Sequence, residues 1–344
     1  MEKERYRHLN SYLKNKFGGR TLKVCIDANF TCPNRDGVKG YGGCLFCGSM
    51  GAGENIKYKT SVPVRIEKYN NLTSQENHYE SARMLRWQDN NCMCDNEVLD
   101  SIRSQVTNFL NSYRGERADR FIAYFQSFTN TYASVDYLKS CYDEALNSSE
   151  KFVGLQVATR PDCIDEEVVK LLASYKDRYY VCVELGLQTS NEDVGKLINR
   201  GYTNKDFEEA VKLLHLNNID VVAHVMVGLP NESCDDVMST IDFVNKMNCN
   251  GVKIHSTYVQ KGTGLAKMYL DGRYIPITQE YYIDVVGKII SRLNEDVVIH
   301  RITADPPKGE SLAPEWILHK KVVINSINRM LEDKDIIQGK HKIY

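Results

Sequence analysis

From Arg120 onward the chain alternates between short apolar runs and amphipathic stretches of helical length. Seven strands are predicted, the first of them ahead of the alternation, at residues 21–27, 120–125, 152–158, 180–187, 220–227, 251–258 and 297–302. Helices are predicted at about residues 96–113, 135–147, 165–175, 203–217, 234–247, 279–294 and 314–331. Regular alternation of strand and helix predicts βα units and a parallel sheet. Seven strands favour a barrel or a partial barrel over an open sheet, so the predicted fold class is α/β with a partial parallel (β/α) barrel.

The two faces of the predicted strands differ in polarity, because side chains alternate between faces along a strand. In the fourth strand the apolar residues of one face alternate with a small or polar set, Cys182, Glu184, Gly186 and Gln188. Later strands place His224, Lys253 and His255 on one face. A filled barrel has Val, Ile and Leu layers inside, so these residues predict a wet interior that holds a ligand. Buried charges such as Glu184 and Lys253 are costly unless they are paired or bound to something.

A cysteine-rich loop directly follows the first predicted strand. Cys32, Cys44 and Cys47 have the spacing C-x11-C-x2-C, and four glycines lie between the first two. Glycine lets the backbone curl until three thiols meet, and three thiolates satisfy three irons of a [4Fe–4S] cluster and leave the fourth open. A structural zinc site is an alternative that needs a fourth ligand, and no Cys or His follows Cys47 before His78. A disulfide would need an oxidising compartment, which nothing else in the chain suggests.

Polar and glycine residues follow the carboxyl ends of the other predicted strands, where barrels of this kind hold their active sites. In chain order these are Gln126 to Asn130, Thr159 and Arg160, Gln188, Gly228 to Pro230, Lys261 to Thr263, and Thr303 to Asp305. Parallel strands share their carboxyl edge, so these segments are expected to converge over the cysteine loop.

Composition excludes several classes of protein. The chain has 344 residues, of which 42% are hydrophobic, enough for one large domain with a sizeable core. A formal net charge of −1 gives no global signature of polyanion binding. Eleven cysteines, an odd number at irregular spacing, do not form a disulfide framework. No signal peptide or membrane-spanning window is present, so we expect a soluble, cytoplasmic protein without membrane contact.

Basic residues concentrate toward both ends of the sequence. Residues 1–23 contain seven basic and two acidic side chains, and residues 318–344 contain six basic and three acidic side chains. Two basic ends can flank a nucleic-acid groove, although a charge run is more often a solvated face.

Three parts of the chain are expected. A basic N-terminal helix covers residues 1–20, the partial barrel covers residues 21–310, and a helical extension covers residues 311–344. A polar insertion at about residues 66–97 interrupts the barrel after the cysteine loop and contains Cys92 and Cys94, which we interpret as surface thiols.

A cysteine loop after the first strand of a parallel barrel resembles the radical S-adenosylmethionine (SAM) superfamily. The usual spacing there is C-x3-C-x2-C, and the wider first gap of this chain is similar to the branch that contains the Elongator catalytic subunit. Seven segments resemble, in order, proteins of the YhcC/YtqA type, namely FTCPNRDGVKGYGGCLFC, FIAYFQSFTNTYA, VATRPDCI, VELGLQT, GLPNES, KIHSTYVQKGT and HRITAD. The resemblance covers about residues 20–335, and residues 66–97 depart from it by their length.

The resemblance implies a [4Fe–4S] cluster on Cys32, Cys44 and Cys47, with SAM chelating the remaining iron. One electron, delivered by a reductant such as flavodoxin or ferredoxin, would cleave SAM to methionine and a 5′-deoxyadenosyl radical that abstracts hydrogen from the substrate. The cofactor supplies the difficult chemistry, and the protein positions it and excludes water.

Roles for individual residues follow from the resemblance and from residue type and position. Arg160, next to Thr159, is expected at the SAM carboxylate, with an internal ion pair to Glu184 as the alternative. The other expected cofactor contacts are Phe46 and Gly228 near adenine, Gln126, Thr129 and Asn130 near the methionine end, and Glu184 and Gln188 at the ribose. Lys253 and His255 are expected to face the substrate as catalytic residues, with a satisfied interior histidine as the alternative for His255.

For the substrate, the resemblance implies tRNA, with modification of a wobble uridine that carries a carboxymethylaminomethyl-type group at its 5-position. The barrel occupies the chain and leaves no room for an acetyltransferase domain, so we expect trimming or remodelling of an existing 5-substituent. The basic ends would contact phosphates. The alternatives are radical SAM oxidation of a small molecule such as a porphyrinogen, a non-catalytic metal-binding scaffold, and a zinc hydrolase, for which the strand-end ligands are too few.

Overall fold

A curled sheet of seven parallel strands forms the centre of the computed structural model, which describes residues 4–49, Gly51 and residues 96–340. Its strands are β1 (Thr21–Ile26), β2 (Arg120–Phe125), β3 (Phe152–Thr159), β4 (Tyr180–Gln188), β5 (Asp220–Val227), β6 (Gly251–Ser256) and β8 (Val298–Arg301). They follow one another across the sheet in this order, with β1 and β8 at the two edges. A separate antiparallel pair joins β7 (Val259–Gln260) to β9 (Ser311–Ala313). The predicted α/β partial barrel is confirmed.

Helices follow most of the strands. They are α1 (Leu9–Phe17), α2 (Asn96–Leu110), α3 (Val135–Asn147), α4 (Glu166–Ser174), α5 (Glu192–Leu197), α6 (Asn204–Leu216), α7 (Cys234–Lys246), α8 (Gly264–Leu270), α9 (Gln279–Arg292) and α10 (Lys320–Asp333). From α3 to α9, each helix begins after a Ser, Thr, Asp or Asn whose side chain accepts a backbone N–H of the first turn. These caps satisfy donors that would otherwise lack partners at the helix start.

The two faces of the sheet have the predicted difference in polarity. Outward residues such as Phe125, Val183 and Val225 are fully buried in one hydrophobic core with the surrounding helices. On the inner face, Glu184 and Lys253 are buried, at 1% and 5% exposure. The helices therefore cover an apolar outer wall, and the curl of the sheet encloses charged side chains.

The helix α1 lies at the amino-terminal end of the barrel. It packs against β1 and β8, the two edges of the sheet, which do not pair with each other. Just before it, His8 pairs with Ile299 of β8. Near its end, the ammonium group of Lys16 lies 4.6 Å from the ring centroid of Tyr180, the first residue of β4. This end of the barrel is opposite the cysteine loop, which follows the carboxyl end of β1.

The segment after α10 holds the segment before α1. The backbone N–H of Gln338 donates to the carbonyl of Arg5 at 2.9 Å, and the Gln338 side chain accepts from the N–H of Arg7 at 2.8 Å. The same side chain donates to the carbonyl of Val297 at 2.8 Å, just before β8. The helix α10 thus runs from Lys320, which pairs with Asp305 after β8, down to this amino-terminal end.

The observed elements differ from the predicted ones in detail. Within the predicted basic N-terminal helix of residues 1–20, the observed helix covers only Leu9–Phe17, and a 3-10 turn at Glu315–Leu318 precedes the last helix. The short elements α5, α8, β7 and β9 were not predicted, because six- or seven-residue helices and two- or three-residue strands give too little periodicity. The insertion, with Cys92 and Cys94, lies outside the described residues except for residues 96 and 97, which begin α2. The domain boundaries at residues 20 and 310 stay a prediction.

Candidate active site

The cysteine loop occupies the carboxyl end of the sheet beside β1. Cys32, Cys44 and Cys47 are half-buried and form no disulfide. The N–H of Cys47 donates to the carbonyl of Cys44 at 2.9 Å, so the C-x2-C pair forms a tight turn. Gly43 precedes this turn with a φ of 75°, a left-handed conformation that a residue with a side chain rarely adopts. The glycine-rich arc therefore allows the curl that its composition predicts.

The three thiols are close enough to affect one another's ionisation. Burial, together with Cys47 and Cys32, raises the pKa of the Cys44 thiol to about 12, and the charge of Arg160 opposes this rise. No three His, Cys, Asp or Glu side chains in the described part of the chain already converge on a metal position. The donor chemistry nevertheless fits an iron–sulfur cluster, because three neighbouring thiols with a cation beside them are the ligands that such clusters take. Adjustment of the thiol side chains, rather than recruitment of new ligands, would complete the set.

Two asparagines fasten the cysteine loop to the segment that follows α5. Asn34 donates from its side chain to the carbonyl of Asn199 at 2.6 Å, and Asn199 donates from its side chain to the carbonyl of Gly43 at 2.8 Å. The N–H of Leu45 donates to the carbonyl of Ile198 at 2.9 Å. The loop is thus held to a rigid neighbour on both sides of Cys44. Asn34 also lies 3.9 Å from the sulfur of Cys44.

Arg160 lies beside the first cysteine, at the carboxyl end of β3. Its guanidinium donates twice to the carboxylate of Asp162, both at 2.9 Å, and also to the carbonyls of Arg200 and Gly201. One nitrogen lies 4.0 Å from the sulfur of Cys32. Although burial opposes the charge, Asp162 holds the pKa of Arg160 well above its usual range.

This arrangement corrects the alternative that pairs Arg160 with Glu184. Asp162 lies only two residues along the chain at the same rim, whereas Glu184 lies deeper in the barrel and is paired with lysines. The N–H groups of Arg160 donate to protein oxygens, and these hydrogen bonds compete with the predicted contact between Arg160 and the SAM carboxylate. That contact stays a prediction.

A second arginine orders the loop after β4. Arg200 is fully buried, and its guanidinium donates to the carbonyls of Leu187 and Thr189 at 3.0 and 2.6 Å. It also pairs with Glu192 at 2.9 Å. The ring of Tyr202 lies between the two arginines, with its centroid 4.8 Å from the guanidinium carbon of Arg160 and 4.9 Å from that of Arg200. Arg200 thereby fixes the carbonyls to which Arg160 donates.

Glu184 is the centre of the polar network on the inner face. Lys23 of β1 donates to one carboxylate oxygen at 3.0 Å, and Lys253 of β6 donates to the other at 2.7 Å. The remaining hydrogen-bond partners are Tyr124 of β2, Gln156 of β3 and His224 of β5. A carboxylate has about four lone-pair positions, so these five partners leave Glu184 little capacity for the ribose hydroxyls. That role stays a prediction, with a structural role in competition.

The charge distribution within this network is set by burial. Burial raises the pKa of Glu184, but Lys23 and Lys253 more than compensate and hold it well below its usual range. Burial and Lys253 lower the pKa of His224 to about 4, and burial and Lys23 lower the pKa of His300 to about 3. Both histidines are therefore neutral near pH 7, and Glu184 is charged.

The two predicted catalytic residues lie in this network as neighbours on β6. Burial lowers the pKa of Lys253 to about 8, with Glu184 opposing the change. The ring of His255 stacks on that of His224, with centroids 5.5 Å apart. Its Nε2 atom is buried and has no hydrogen-bond partner among the described residues. Lys253 is thus engaged by the protein, while His255 retains a nitrogen for a ligand.

Gln126 and Thr129 lie at the carboxyl end of β2, next to the cysteine loop. The N–H of Gln126 donates to the carbonyl of Ile26 at 3.4 Å, and the N–H of Thr129 donates to the carbonyl of Thr31 at 3.1 Å. Thr31 directly precedes Cys32, so this turn supports the start of the loop. Gln126 is half-buried and Thr129 is buried.

Asn130 and Thr159 line the boundary between β2 and β3. The side-chain nitrogen of Asn130 donates to the carbonyl of Ala158 at 2.7 Å, while its side-chain oxygen is buried without a partner among the described residues. The hydroxyl of Thr159 lies 2.6 Å from that of Thr131. The side-chain oxygen of Asn130 is therefore an acceptor available to a ligand close to the cysteine loop, and Thr159 contacts Thr131, the residue that follows Asn130.

Gln188 and Gly228 follow β4 and β5 at the same rim. Gln188 has a φ of 66°, at a point where the register between the two strands shifts. Its side chain crosses Gly186, where an added Cβ would lie 2.9 Å from its nitrogen and 2.8 Å from the hydroxyl of Tyr202. Gly228 has a φ of 90°, and its carbonyl accepts from the hydroxyl of Tyr274 at 2.7 Å. Both positions are tight turns at the barrel mouth.

Phe46, next to the last cysteine, is half-buried between two small apolar groups. One contains Val259 and Leu265, and the other contains Ile198 and Leu229. The ring therefore has a packing role of its own, and contact with adenine stays a prediction.

Glu232, in the segment GLPNES, supports the turn after β5. One of its oxygens accepts from the N–H groups of Gly228 and Leu229 at 3.2 and 3.3 Å. The other oxygen is buried and has no partner among the described residues. Burial raises the pKa of Glu232 to about 7, against the effect of these hydrogen bonds.

Buried polar atoms without partners cluster around the barrel mouth. Within the described residues they belong to Ser127, Asn130, Glu232, His255, Thr257 and Ser311, and the first five lie on segments at or near the carboxyl ends of β2, β5 and β6. A buried polar atom without a partner costs free energy, so such a cluster indicates a site that a polar ligand completes. The mouth of the barrel therefore fits a cofactor rich in hydrogen-bonding groups.

Sequence reasoning missed five residues that organise this site, Asn34, Asn199, Arg200, Tyr202 and Glu232. Their roles depend on contacts between segments far apart in the chain, which strand-face patterns do not show. One signal was present, because the sequence NRGY places a charged residue between Asn199 and Gly201, both of which adopt positive φ values. Glu232 lies in a segment that resembles the family but carried no residue assignment.

The three-cysteine loop at the carboxyl end of a curled parallel sheet defines an iron–sulfur enzyme built on a partial barrel. The chain belongs to the radical SAM superfamily. The model of that superfamily matches residues 112–244, and the Radical_SAM C-terminal domain matches residues 249–333. YtqA of Bacillus subtilis, an uncharacterized protein, is 33% identical over 337 residues, which cover 98% of this chain and 92% of YtqA. As a member of this superfamily, the protein uses a [4Fe–4S] cluster and SAM.

Similarity extends to the Elongator proteins. Elongator complex protein 3 of Schizosaccharomyces pombe is 33% identical over 175 residues, which cover 48% of this chain and 31% of that protein. The solved structure of the archaeal Methanocaldococcus infernus Elp3 with an N-terminal deletion has a TM-score of 0.59 at 22% identity, covering 70% of this chain and 60% of that chain. It has the same fold. In the described part of this chain, no helix has the length and apolar character needed to cross a membrane.

We predict that serine at position 32, 44 or 47 prevents cluster assembly. Each of Cys32→Ser, Cys44→Ser and Cys47→Ser removes a thiolate ligand, so iron and acid-labile sulfide bound after anaerobic reconstitution should fall to background. The matched control is Cys234→Ser on α7, which should bind as much iron as the wild type. Full loading of any of the three loop variants would contradict the ligand assignment.

We predict that Glu184→Gln destabilises the fold by about 3–5 kcal/mol, because it leaves Lys23 and Lys253 buried without their shared counter-charge. The double variant Glu184→Gln with Lys253→Met removes one of these charges and should regain part of the loss. Chemical denaturation of both variants measures the effect. Wild-type stability in the single variant would show that the network does not support the fold.

We predict a pH-dependent stability difference between Glu232→Gln and the wild type. The folded pKa of Glu232, about 7, exceeds the value of about 4.5 for an exposed carboxyl, so the native state binds an extra proton between these values. This contribution to stability is present below pH 4.5 and is lost as the pH rises through 7. The free energy of unfolding of the wild type should therefore fall relative to that of the variant from pH 5 to 8, by at most about 3 kcal/mol. Thermal midpoints of the two proteins, measured across this range, should show the same trend. A constant difference across this range would be inconsistent with a raised pKa.

Proposed function

We propose that this radical SAM enzyme modifies the 5-substituent of the wobble uridine of tRNA, acting on a carboxymethylaminomethyl-type group. The site of action is inferred from the cluster of buried polar atoms at the barrel mouth, beside the cysteine loop, which have no hydrogen-bond partner among the described residues. The choice of tRNA is supported by the resemblance to wobble-uridine-modifying proteins and by the similarity to Elongator complex protein 3 over about half of the chain.

In this proposal Cys32, Cys44 and Cys47 hold the [4Fe–4S] cluster. When bound, the cluster and SAM supply the electron transfer and the radical that removes hydrogen from the substrate. Arg160 and Asn34 lie at 4.0 and 3.9 Å from the sulfurs of Cys32 and Cys44. Donors near cluster sulfurs stabilise their negative charge and tune the reduction potential. Asp162 and Arg200 keep Arg160 in place for this role.

The SAM molecule is assigned to the rim between the cysteine loop and the strand ends. The open acceptor of Asn130 suits the amino group of SAM, with Thr129, Thr159 and Gln126 shaping that side. Gln188 and Gly228 lie on the opposite strands, where they suit the ribose and adenine, and Phe46 borders the same region. Glu184 holds the inner wall together below them rather than contacting SAM directly.

The placement of α1 changes the expected route of RNA binding. Lys14 and Lys16 lie on α1 at the amino-terminal end of the barrel, away from the cysteine loop. Exposed cations on the mouth side belong instead to segments after β6, including Lys267 on α8. We therefore assign the phosphate contacts nearest the modified base to this side, and contacts from α1 only to distant parts of the RNA.

The test is anaerobic turnover with reconstituted enzyme, reductant, SAM and tRNA that carries the carboxymethylaminomethyl group. We expect the tRNA to stimulate release of 5′-deoxyadenosine, and nucleoside mass spectrometry to show loss or remodelling of the 5-substituent. A reductant of the flavodoxin or ferredoxin type should replace a chemical reductant. Charge-reversal variants locate the RNA, because Lys267→Glu should weaken tRNA binding at low salt more than Lys14→Glu does.

Other outcomes separate the alternatives. Formation of 5′-deoxyadenosine with a porphyrinogen but not with tRNA would replace the substrate class. Cluster binding without SAM cleavage under any condition would favour the scaffold alternative.

A further inference from the structure

Arg301, the last residue of β8, is a cation on the inner wall of the barrel. It pairs in register with Lys253, and paired residues of parallel strands point to the same face. A register shift just before this pair places both His300 and Arg301 toward the interior. His300 contacts Lys23 and Glu184, but Arg301 makes no hydrogen bond or ion pair with any described residue. It is half-buried and ends β8, at the carboxyl edge of the sheet that forms the barrel mouth.

His255 provides a second open donor on the same wall. It lies two residues beyond Lys253 on β6, the strand next to β8. Its buried Nε2 has no hydrogen-bond partner within the part of the chain that the structure describes, and its ring stacks on that of His224. Burial, with Arg301 as the next cause, holds the pKa of His255 well below its usual range, so the ring is neutral and offers a single N–H.

This layer of the interior has more positive than negative charge. The charged neighbours of Lys253 are Glu184, Lys23 and Arg301, while His224 and His300 are neutral. Glu184 is already shared by the two lysines. Burial is the main cause of the lowered pKa of Lys253, and Lys23 and Arg301 lower it further, as nearby like charges do. An anion bound here would complete the charge balance.

We propose that Arg301 and His255 form a binding site for a carboxylate of the substrate on the inner wall of the barrel. The planar guanidinium matches a carboxylate with two parallel hydrogen bonds, and the neutral imidazole adds one donor. A small monoanion fits better than a phosphate dianion, because Glu184 lies in the same layer. Resting on the proposed function, this site would hold the carboxylate end of the carboxymethylaminomethyl group and direct its carbon atoms toward the mouth, where SAM is assigned.

Binding is tested without RNA by using N-methylglycine, which reproduces the end of that group. Holoenzyme loaded with SAM and labelled with ¹⁵N-histidine is titrated, and SAM prevents the amino acid from chelating the cluster. The chain has eight histidines, so the His255 resonance can be assigned by its loss in His255→Asn. We expect a saturable shift of this resonance in the wild type, and no shift in Arg301→Gln. The matched control Arg273→Gln, an exposed arginine paired with Asp271, should behave as the wild type does.

Absence of the shift in the wild type, an unchanged shift in Arg301→Gln, or tighter binding of inorganic phosphate than of N-methylglycine would overturn the proposal. A positive titration with tRNA that is not turned over would leave the carboxylate site in place and reject the proposed function. With active tRNA, Arg301→Gln should raise KM about 10- to 100-fold, the usual effect of losing hydrogen bonds to a charged group. Arg301→Lys should recover part of this loss, and an unchanged KM in Arg301→Gln would also overturn the proposal.

Discussion

One buried carboxylate joins strands from across the open sheet. Glu184, on the central strand β4, accepts hydrogen bonds from Lys23 at one edge and from Lys253 next to the other. The Nδ1 atom of His300, on the far edge strand β8, lies 3.4 Å from the ammonium nitrogen of Lys23, across the gap between β1 and β8, which do not pair in the described sheet. Side chains therefore provide the cross-barrel contact that hydrogen-bonded strands provide in a closed barrel. These contacts join β1, β4, β6 and β8 across the inner wall, below the mouth on which the strand ends converge.

Polar side chains in the site divide into two groups with different physical states. Glu184, Arg160 and Arg200 are surrounded by partners that satisfy them, so each fixes neighbouring segments. Among residues 4–49, 51 and 96–340, Asn130 and His255 have buried atoms without hydrogen-bond partners, and Arg301 has no ion-pair partner. In the first group, hydrogen bonds offset the free-energy cost of burying the polar side chains, and the satisfied networks make the site rigid. The second group stores unfavourable free energy that a ligand releases on binding, which is how a preformed site gains affinity.

The sequence predicts the parts of this protein that depend on local pattern. Strand positions, the polar inner face and the cysteine loop follow from side-chain periodicity, residue type and spacing, and the family follows from its motifs. Arg160 shows where such reasoning ends, because the sequence placed it at the rim but did not identify Asp162 as its partner. Arg200 is fully buried in a loop, which no periodicity marks. Contacts of this kind arise only when distant segments meet, so they require the fold.

The clasp between residues 5–8 and 335–338 has a consequence for the whole polypeptide. Gln338 joins both segments to the start of β8, so the path of the chain enters and leaves the barrel at one place. Gln338 thus holds the segment before α1 and the start of β8 together at the end of the barrel away from the cysteine loop. A change at this side chain would loosen an edge of the sheet, and with it the wall that carries Arg301, far from the site itself.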